Sequence, residues 1–182
     1  MAIDTALIPA AGQGKRIAGL KFTGILPKPL LPVFDRPIAQ YALETSKAMG
    51  ARKIGFIIGK ENRLIEQYFG NGADFDVEVE YFTQAEPKGI GHALMQAREF
   101  AGKKFSVVLG DDLTFASNLI DMPKLLEEKN ADAIEAVAME KSPEMMSRAC
   151  KVEFDNSGKI TKITEKPKNE TLGYRGCGVY WY

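Results

Sequence analysis

Short apolar runs and segments of helical period alternate along most of the chain. Residues 5–9 are an apolar run too short for a helix and predict a strand buried on both faces. A stretch punctuated by glycine and proline follows as far as Pro32 and predicts a long loop. Pro37 suits the first position of a helix, where its missing N–H costs nothing. Ile38, Tyr41, Ala42, Thr45 and Met49 recur at helical spacing as its expected buried face, and Gly50 stops it. Residues 53–58 predict a second buried strand and residues 62–69 a second helix. Val77, Val79 and Tyr81 alternate with Glu78 and Glu80, the pattern of a strand wet on one side. Ile90, Ala93, Leu94, Ala97 and Ala101 mark one further helix. Residues 105–109 are a third buried run, ended by Gly110-Asp111-Asp112.

Residues 122–129 predict another helix with Asp121 as N-cap, and residues 133–139 another strand. Beyond these the character changes. Residues 151–155, the turn Asn156-Ser157-Gly158 and residues 159–166 predict an antiparallel hairpin. Ile160 and Ile163 would fall on opposite faces of a regular strand, so a bulge is expected between them. Residues 178–182 are a final strand. The alternation implies an α/β fold: a Rossmann-like, mostly parallel sheet with helices on both faces and an added antiparallel hairpin. Ligands of such sheets bind beyond the carboxyl ends of the strands. The unusual residues cluster there, at 10–16, 84–91 and 110–112, which points to a nucleotide-sized ligand.

Composition narrows this picture without naming a function. The 182 residues suit one domain with a substantial core. Lys and Arg total 24 and Asp and Glu 24, a balance that argues against nucleic acid or an anionic membrane as partner. The two cysteines, Cys150 and Cys177, lie far apart with a single histidine, His92, which excludes a zinc site of ordinary spacing. A reduced pair, an N-terminus without a basic n-region and the lack of an apolar run near the roughly 20 residues of a membrane span predict a cytoplasmic protein.

The loop Ala10-Ala11-Gly12-Gln13-Gly14-Lys15-Arg16 follows the first strand directly. Small residues let backbone N–H groups approach an anion, and Lys15 and Arg16 add charge. It is neither of two familiar phosphate loops. A GxGxxG fingerprint would need glycine where Ile17 stands, and a Walker A loop would need Ser or Thr where Arg16 stands. Together with Leu26-Pro27-Lys28-Pro29-Leu30-Leu31-Pro32-Val33, however, the loop resembles the bipartite signature of the sugar-1-phosphate nucleotidylyltransferases. Gln84-Ala85-Glu86-Pro87-Lys88-Gly89-Ile90-Gly91-His92-Ala93 resembles that family's base-reading loop, closest to its uridylyltransferase and thymidylyltransferase branch. Val107-Val108-Leu109-Gly110-Asp111 is similar to its metal-binding strand. Lys151-Val152-Glu153-Phe154-Asp155, Gly158-Lys159-Ile160 and Glu165-Lys166-Pro167 resemble its sugar-binding hairpin, and Gly178-Val179-Tyr180 the strand after it.

The resemblance implies a nucleotide-diphospho-sugar transferase-like fold over residues 1–182, shortened at the C-terminal end, where the family carries a second metal aspartate. It implies Mg²⁺-dependent transfer of a nucleoside monophosphate from UTP or dTTP to a hexose-1-phosphate, with release of pyrophosphate. Arg16 would hold the departing phosphates and Lys28 would bridge the two reacting phosphates, as the catalytic pair. Ala11, Gly12, Gly14, Lys15, Gln84 and Gly89 would bind the nucleotide. Glu165 and Lys166 would bind the sugar phosphate, and Asp111 would bind Mg²⁺. His92 is left as structural. The implied partners are a nucleoside triphosphate and a sugar-1-phosphate, with homo-oligomerisation open. Three features depart from the family: Cys150 stands where a glycine is usual, Gly19, Lys21 and Gly24 replace the common Pro-x-Thr pattern between Arg16 and Lys28, and the second carboxylate is missing. The first and the last favour the alternative of a non-catalytic nucleotide or sugar-nucleotide binding protein of the same fold.

Overall fold

The computed structural model describes residues 4–12, 26–60, 62–168 and 172–182. The chain forms two compact units, Met1–Ile134 with Tyr180–Tyr182, and Glu135–Val179. In the first, the apolar run predicted at the start is strand β1 (Thr5–Pro9), with four of its five residues buried. The proline-rich segment is not loop throughout. A 3₁₀ turn at Lys28–Leu30 precedes a small antiparallel ladder of β2 (Pro32–Val33) and β3 (Arg36–Pro37). Pro37 then stands at the N-cap position, one residue before helix α1 (Ile38–Ala48).

The remaining elements of this unit follow the predicted alternation. They are β4 (Lys53–Gly59), α2 (Arg63–Phe69), β5 (Glu78–Gln84), α3 (Ile90–Gln96), α4 (Arg98–Ala101), β6 (Ser106–Val108) and α5 (Met122–Glu128). The single helix expected over 90–101 is broken at Ala97, which caps α3 and begins α4 while remaining buried. Asp121 does occupy the N-cap of α5, but its side chain makes no capping bond.

Strand β1 pairs in parallel with β4 on one side and with β6 on the other, and β5 pairs in parallel with β4. From β1 the chain therefore builds outward through β4 to β5, then returns to add β6 on the opposite flank. The strand order reverses between β1 and β6, and a doubly wound sheet binds ligand at the carboxyl end of such a switch point.

Register divides the buried side chains between the two faces. Leu7, Ile57 and Val107 lie on one face under Ala93, Ala97 and Ala101, with Phe82, Phe100, Phe105, Tyr180 and Tyr182 packed around them. Ala6, Ile54, Phe56 and Ile8 face the other way, where Phe56 stacks on Phe69 of α2 at 4.6 Å. The buried face of α1 is corrected by the structure. Ala39, Ala42, Leu43 and Ser46 are buried, whereas Ile38, Tyr41 and Thr45 are only half-buried. Ser46 escaped the hydrophobic pattern because its hydroxyl donates to Ala42 O of its own helix at 2.8 Å, so burial leaves it satisfied.

Gly55 shows why one strand position of this unit carries no side chain. A Cβ there would lie 2.8 Å from Leu7 Cδ2 and 2.9 Å from Phe100 Cε1. The missing methyl lets the Phe100 ring of α4 rest on the sheet. Gly55→Ala is expected to destabilise the fold by about 1–3 kcal/mol through overpacking. Phe100→Leu in the same chain should recover part of the loss, as measured by denaturant unfolding.

The second unit is antiparallel. It contains all but the first residue of β7 (Ile134–Glu140), then α6 (Pro143–Met146), β8 (Cys150–Phe154), β9 (Ile160–Glu165) and most of β10 (Gly173–Trp181). Strand β8 pairs with β9 and with β10, and β7 also pairs with β10. The expected bulge is present. Glu153 pairs with Lys162 and Phe154 with Ile160, so Thr161 is the extra residue between Ile160 and Ile163. The Asp155 carboxylate organises the turn by accepting from Ser157 N, Ser157 Oγ and Lys159 N, and the Ser157 hydroxyl above all holds it below the usual carboxylate range. The final strand begins at Gly173, five residues before the expected start at Gly178.

Candidate functional site

The loops that leave β1 and β6 are held together at the switch point. Gly110 N donates to Pro9 O at 3.1 Å. A Cβ on Gly110 would sit 3.0 Å from both Pro9 O and Ile8 Cγ2 and 3.3 Å from Ala10 Cβ, so this glycine permits the close approach. It delivers Asp111 to the carboxyl edge of the sheet beside the loop that starts at Ala10. Ala11 is half-buried there, and Gly12 is exposed with open space around its Cα.

Lys28 reaches the same place from the proline-rich segment. Pro27 enters the 3₁₀ turn extended, Leu31 N closes it on Lys28 O, and Pro29 and Leu30 are buried. The turn is thus anchored by its apolar residues while the lysine stays partly accessible. Its Nζ donates to Asp111 Oδ2 at 2.7 Å, joining residues 83 apart in sequence. The neighbouring Asp112 is used differently: its Oδ1 accepts from Leu113 N at 2.8 Å, which fastens the loop.

A second cluster forms where β5 ends. Gln84 is buried, with Nε2 donating to Gly89 O at 3.1 Å and lying 3.0 Å from His92 Nδ1. Gly89 takes a positive φ of 92° as it caps α3, a conformation that favours glycine. Gln84 and Gly89, both assigned to nucleotide binding, are therefore brought together. His92, set aside from the sequence, joins them. The signal that could have found it is its spacing, since a residue three beyond the cap of α3 faces back towards the strand end one turn below.

Glu165 and Lys166 lie in the second unit, at the end of β9. They are exposed and approach each other at 3.4 Å, and Lys166 holds a positive φ of 48° while its N–H donates to Ala149 O. Cys150, at the position where a glycine is usual, pairs with Glu165 across the hairpin. Burial first, and then the Glu135 and Glu165 carboxylates, push its thiol up, which keeps it protonated at neutral pH. Gly14, Lys15 and Arg16 lie outside the described residues.

Among the described residues no three His, Cys, Asp or Glu side chains converge as a metal site. Asp111 is a single accessible carboxylate. That suits Mg²⁺, which keeps waters and phosphate oxygens and takes one or two carboxylates from the protein. The Asp111 carboxylate fits a magnesium ion that also takes phosphate oxygens as ligands. Among the described residues no helix is long and apolar enough to cross a membrane.

Comparison with known proteins identifies the family and the fold. The nucleotidyl transferase family profile matches residues 5–182. A glucose-1-phosphate thymidylyltransferase of Xanthomonas campestris is 33% identical over 178 residues, covering 97% of this chain and 59% of that protein. A UTP–glucose-1-phosphate uridylyltransferase of Staphylococcus saprophyticus is 30% identical over 196 residues, covering 93% and 67%. Among solved structures, UDP-glucose pyrophosphorylase complexed with UDP-glucose superposes with a TM-score of 0.83 at 27% identity, over 98% of this chain and 75% of that one. The chain spans between 47% and 67% of the length of these and similar curated relatives.

Proposed function

The chain belongs to the nucleotidyl transferase family, and from that premise we propose that it transfers a nucleoside monophosphate from UTP or dTTP to a hexose-1-phosphate, releasing pyrophosphate. The observation that carries the proposal is the contact between Lys28 and Asp111 at the switch point of the sheet. A phosphate-binding cation and a metal-binding carboxylate meet where a doubly wound fold receives its ligand. The Xanthomonas and Staphylococcus relatives, named for thymidylyl and uridylyl transfer to glucose-1-phosphate, support the choice of substrates.

Such a transfer needs little acid–base help, because the attacking sugar phosphate is already ionised near neutral pH. The difficulty is to bring two anions together and to stabilise the departing one. Lys28 places its ammonium between the α-phosphate and the incoming phosphate, offsetting their repulsion. Ala11, Gly12, Gly14 and Lys15 cradle the triphosphate, and Arg16 holds the leaving β,γ-phosphates. Gln84 and Gly89 meet the base, while Glu165 accepts a sugar hydroxyl and Lys166 contacts the sugar phosphate. Bound through Asp111 and the phosphates, Mg²⁺ would supply further neutralisation of the triphosphate charge.

Nucleotide binding without turnover is the second reading, favoured by the described residues offering no group of three metal-ligating side chains. Pyrophosphate release separates the two. With Mg²⁺, release is expected to require both UTP or dTTP and glucose-1-phosphate. Tight nucleotide binding with no release from any sugar-1-phosphate would establish the non-catalytic reading instead.

A further inference from the structure

We propose that His92 is a positioning residue that locks the Gln84 amide so that it offers a bound base only a hydrogen-bond acceptor. The inference rests on the reading of Gln84 as the base-facing residue and names how that residue selects. It follows from the donor and acceptor balance of three groups. Gly89 O can only accept, so the Gln84 atom 3.1 Å from it must be the Nε2 amine. The same Nε2 lies 3.0 Å from His92 Nδ1. The lone pair of an amide nitrogen is delocalised into its carbonyl and cannot accept, so Nδ1 must accept its second hydrogen. The imidazole proton therefore sits on Nε2 of His92.

Both hydrogens of the Gln84 amide are then committed within the loop, and a ligand can meet only Oε1. A free amide could turn over to present either a donor or an acceptor, and would suit any pyrimidine. The locked amide accepts the N3–H of uracil or thymine and faces the bare N3 lone pair of cytosine with another lone pair. Selection between pyrimidines thus depends on a side chain that does not itself touch the base. Gly89 contributes one restraint and His92 the other. Removing the His92 acceptor leaves the second Nε2 hydrogen of a buried amide unpaired while Gly89 O still holds the first, so that hydrogen becomes a donor a base can meet beside Oε1.

The test measures binding of UTP and of CTP, each with Mg²⁺, to the whole chain by calorimetry. The wild type is expected to prefer UTP. His92→Phe keeps the ring and its volume but has no acceptor, and should reduce that preference by about fivefold to tenfold, the worth of one hydrogen bond. His92→Asn loses the ring but can place Oδ1 where Nδ1 was, and should recover most of the preference. A role resting on the shape of the ring predicts the reverse, with Phe behaving as wild type and Asn impaired, and that order would overturn the proposal. So would two variants that both keep the wild-type preference. Gln84→Leu distinguishes the underlying reading: if UTP preference survives it, Gln84 is not the base reader and both inferences fail together. If Gln84→Leu abolishes the preference while His92→Phe retains it, only the role of His92 falls.

Discussion

Replacing Lys28 by alanine is expected to lower turnover by about a hundredfold to a thousandfold, the cost of removing one preorganised charge from a phosphoryl-transfer site. Stability should hardly change. The Lys28 and Asp111 side chains retain 27% and 39% of their exposure, and pairs of that kind contribute about 0–1 kcal/mol. A weak pair is what the proposed reaction requires, since Lys28 must leave Asp111 for the phosphates and Asp111 must accept the metal. The contact stores two groups of opposite charge beside each other until a triphosphate and its cation separate them. Two measurements check this together. Pyrophosphate release should collapse in Lys28→Ala while the denaturation midpoint stays within the range of one exposed pair. Asp111→Ala should likewise abolish release, and its defect should not be relieved by removing Lys28 as well. Full activity in both single variants would place the reacting phosphates elsewhere on the chain.

The parts of the fold legible in the sequence are those in which hydrophobicity alone decides. Strands β1 and β4 are covered on both faces, so their continuous apolar runs leave little choice. The bulge at Thr161 is equally readable, because Ile160 and Ile163 cannot share a face without an extra residue. Helix α1 was misread where polar groups satisfy themselves. Ser46 is buried on a bond to its own helix, while Tyr41 stays at the rim, its hydroxyl on Val33 O and its ring against Phe115. The candidate site divides in the same way. Lys28, Gln84 and Asp111 stand out by motif, but nothing local in the chain says that Lys28 and Asp111 touch, because that contact is created by the reversal of strand order between β1 and β6. His92 carries no such motif of its own, being the single histidine of the chain. Its relation to Gln84 depends on a loop that folds back through the left-handed Gly89, a geometry with no hydrophobic signature.

The largest loss of stability is expected from Trp181→Ala, about 3–5 kcal/mol, a substantial part of the stability of an ordinary domain. Trp181 is 1% exposed and heads the largest fully buried side chains. Its position follows from the sheet. Phe105 and Tyr182 exchange both backbone hydrogen bonds, so β10 runs antiparallel to β6 and the next residues inward, Ser106 and Trp181, stand opposite each other. Ser106 also pairs with Ala6, which puts Trp181 on the α1 side of the sheet, across from the cluster that holds Tyr180 and Tyr182. Two polar atoms, Ser106 Oγ and Trp181 Nε1, are buried on that face without a hydrogen-bond partner among the described residues. Size and polarity therefore pull apart at this pair, and the variants separate them. Trp181→Phe keeps much of the apolar volume and removes an unpaired N–H, so its cost should stay below about 1.5 kcal/mol. Ser106→Ala deletes an unpaired hydroxyl and should be neutral or stabilising. Trp181 is the only tryptophan, so unfolding of these variants has to be followed by circular dichroism in denaturant. A Trp181→Phe cost as large as that of Trp181→Ala would mean that the indole N–H, and not the volume of the ring, holds this edge of the sheet.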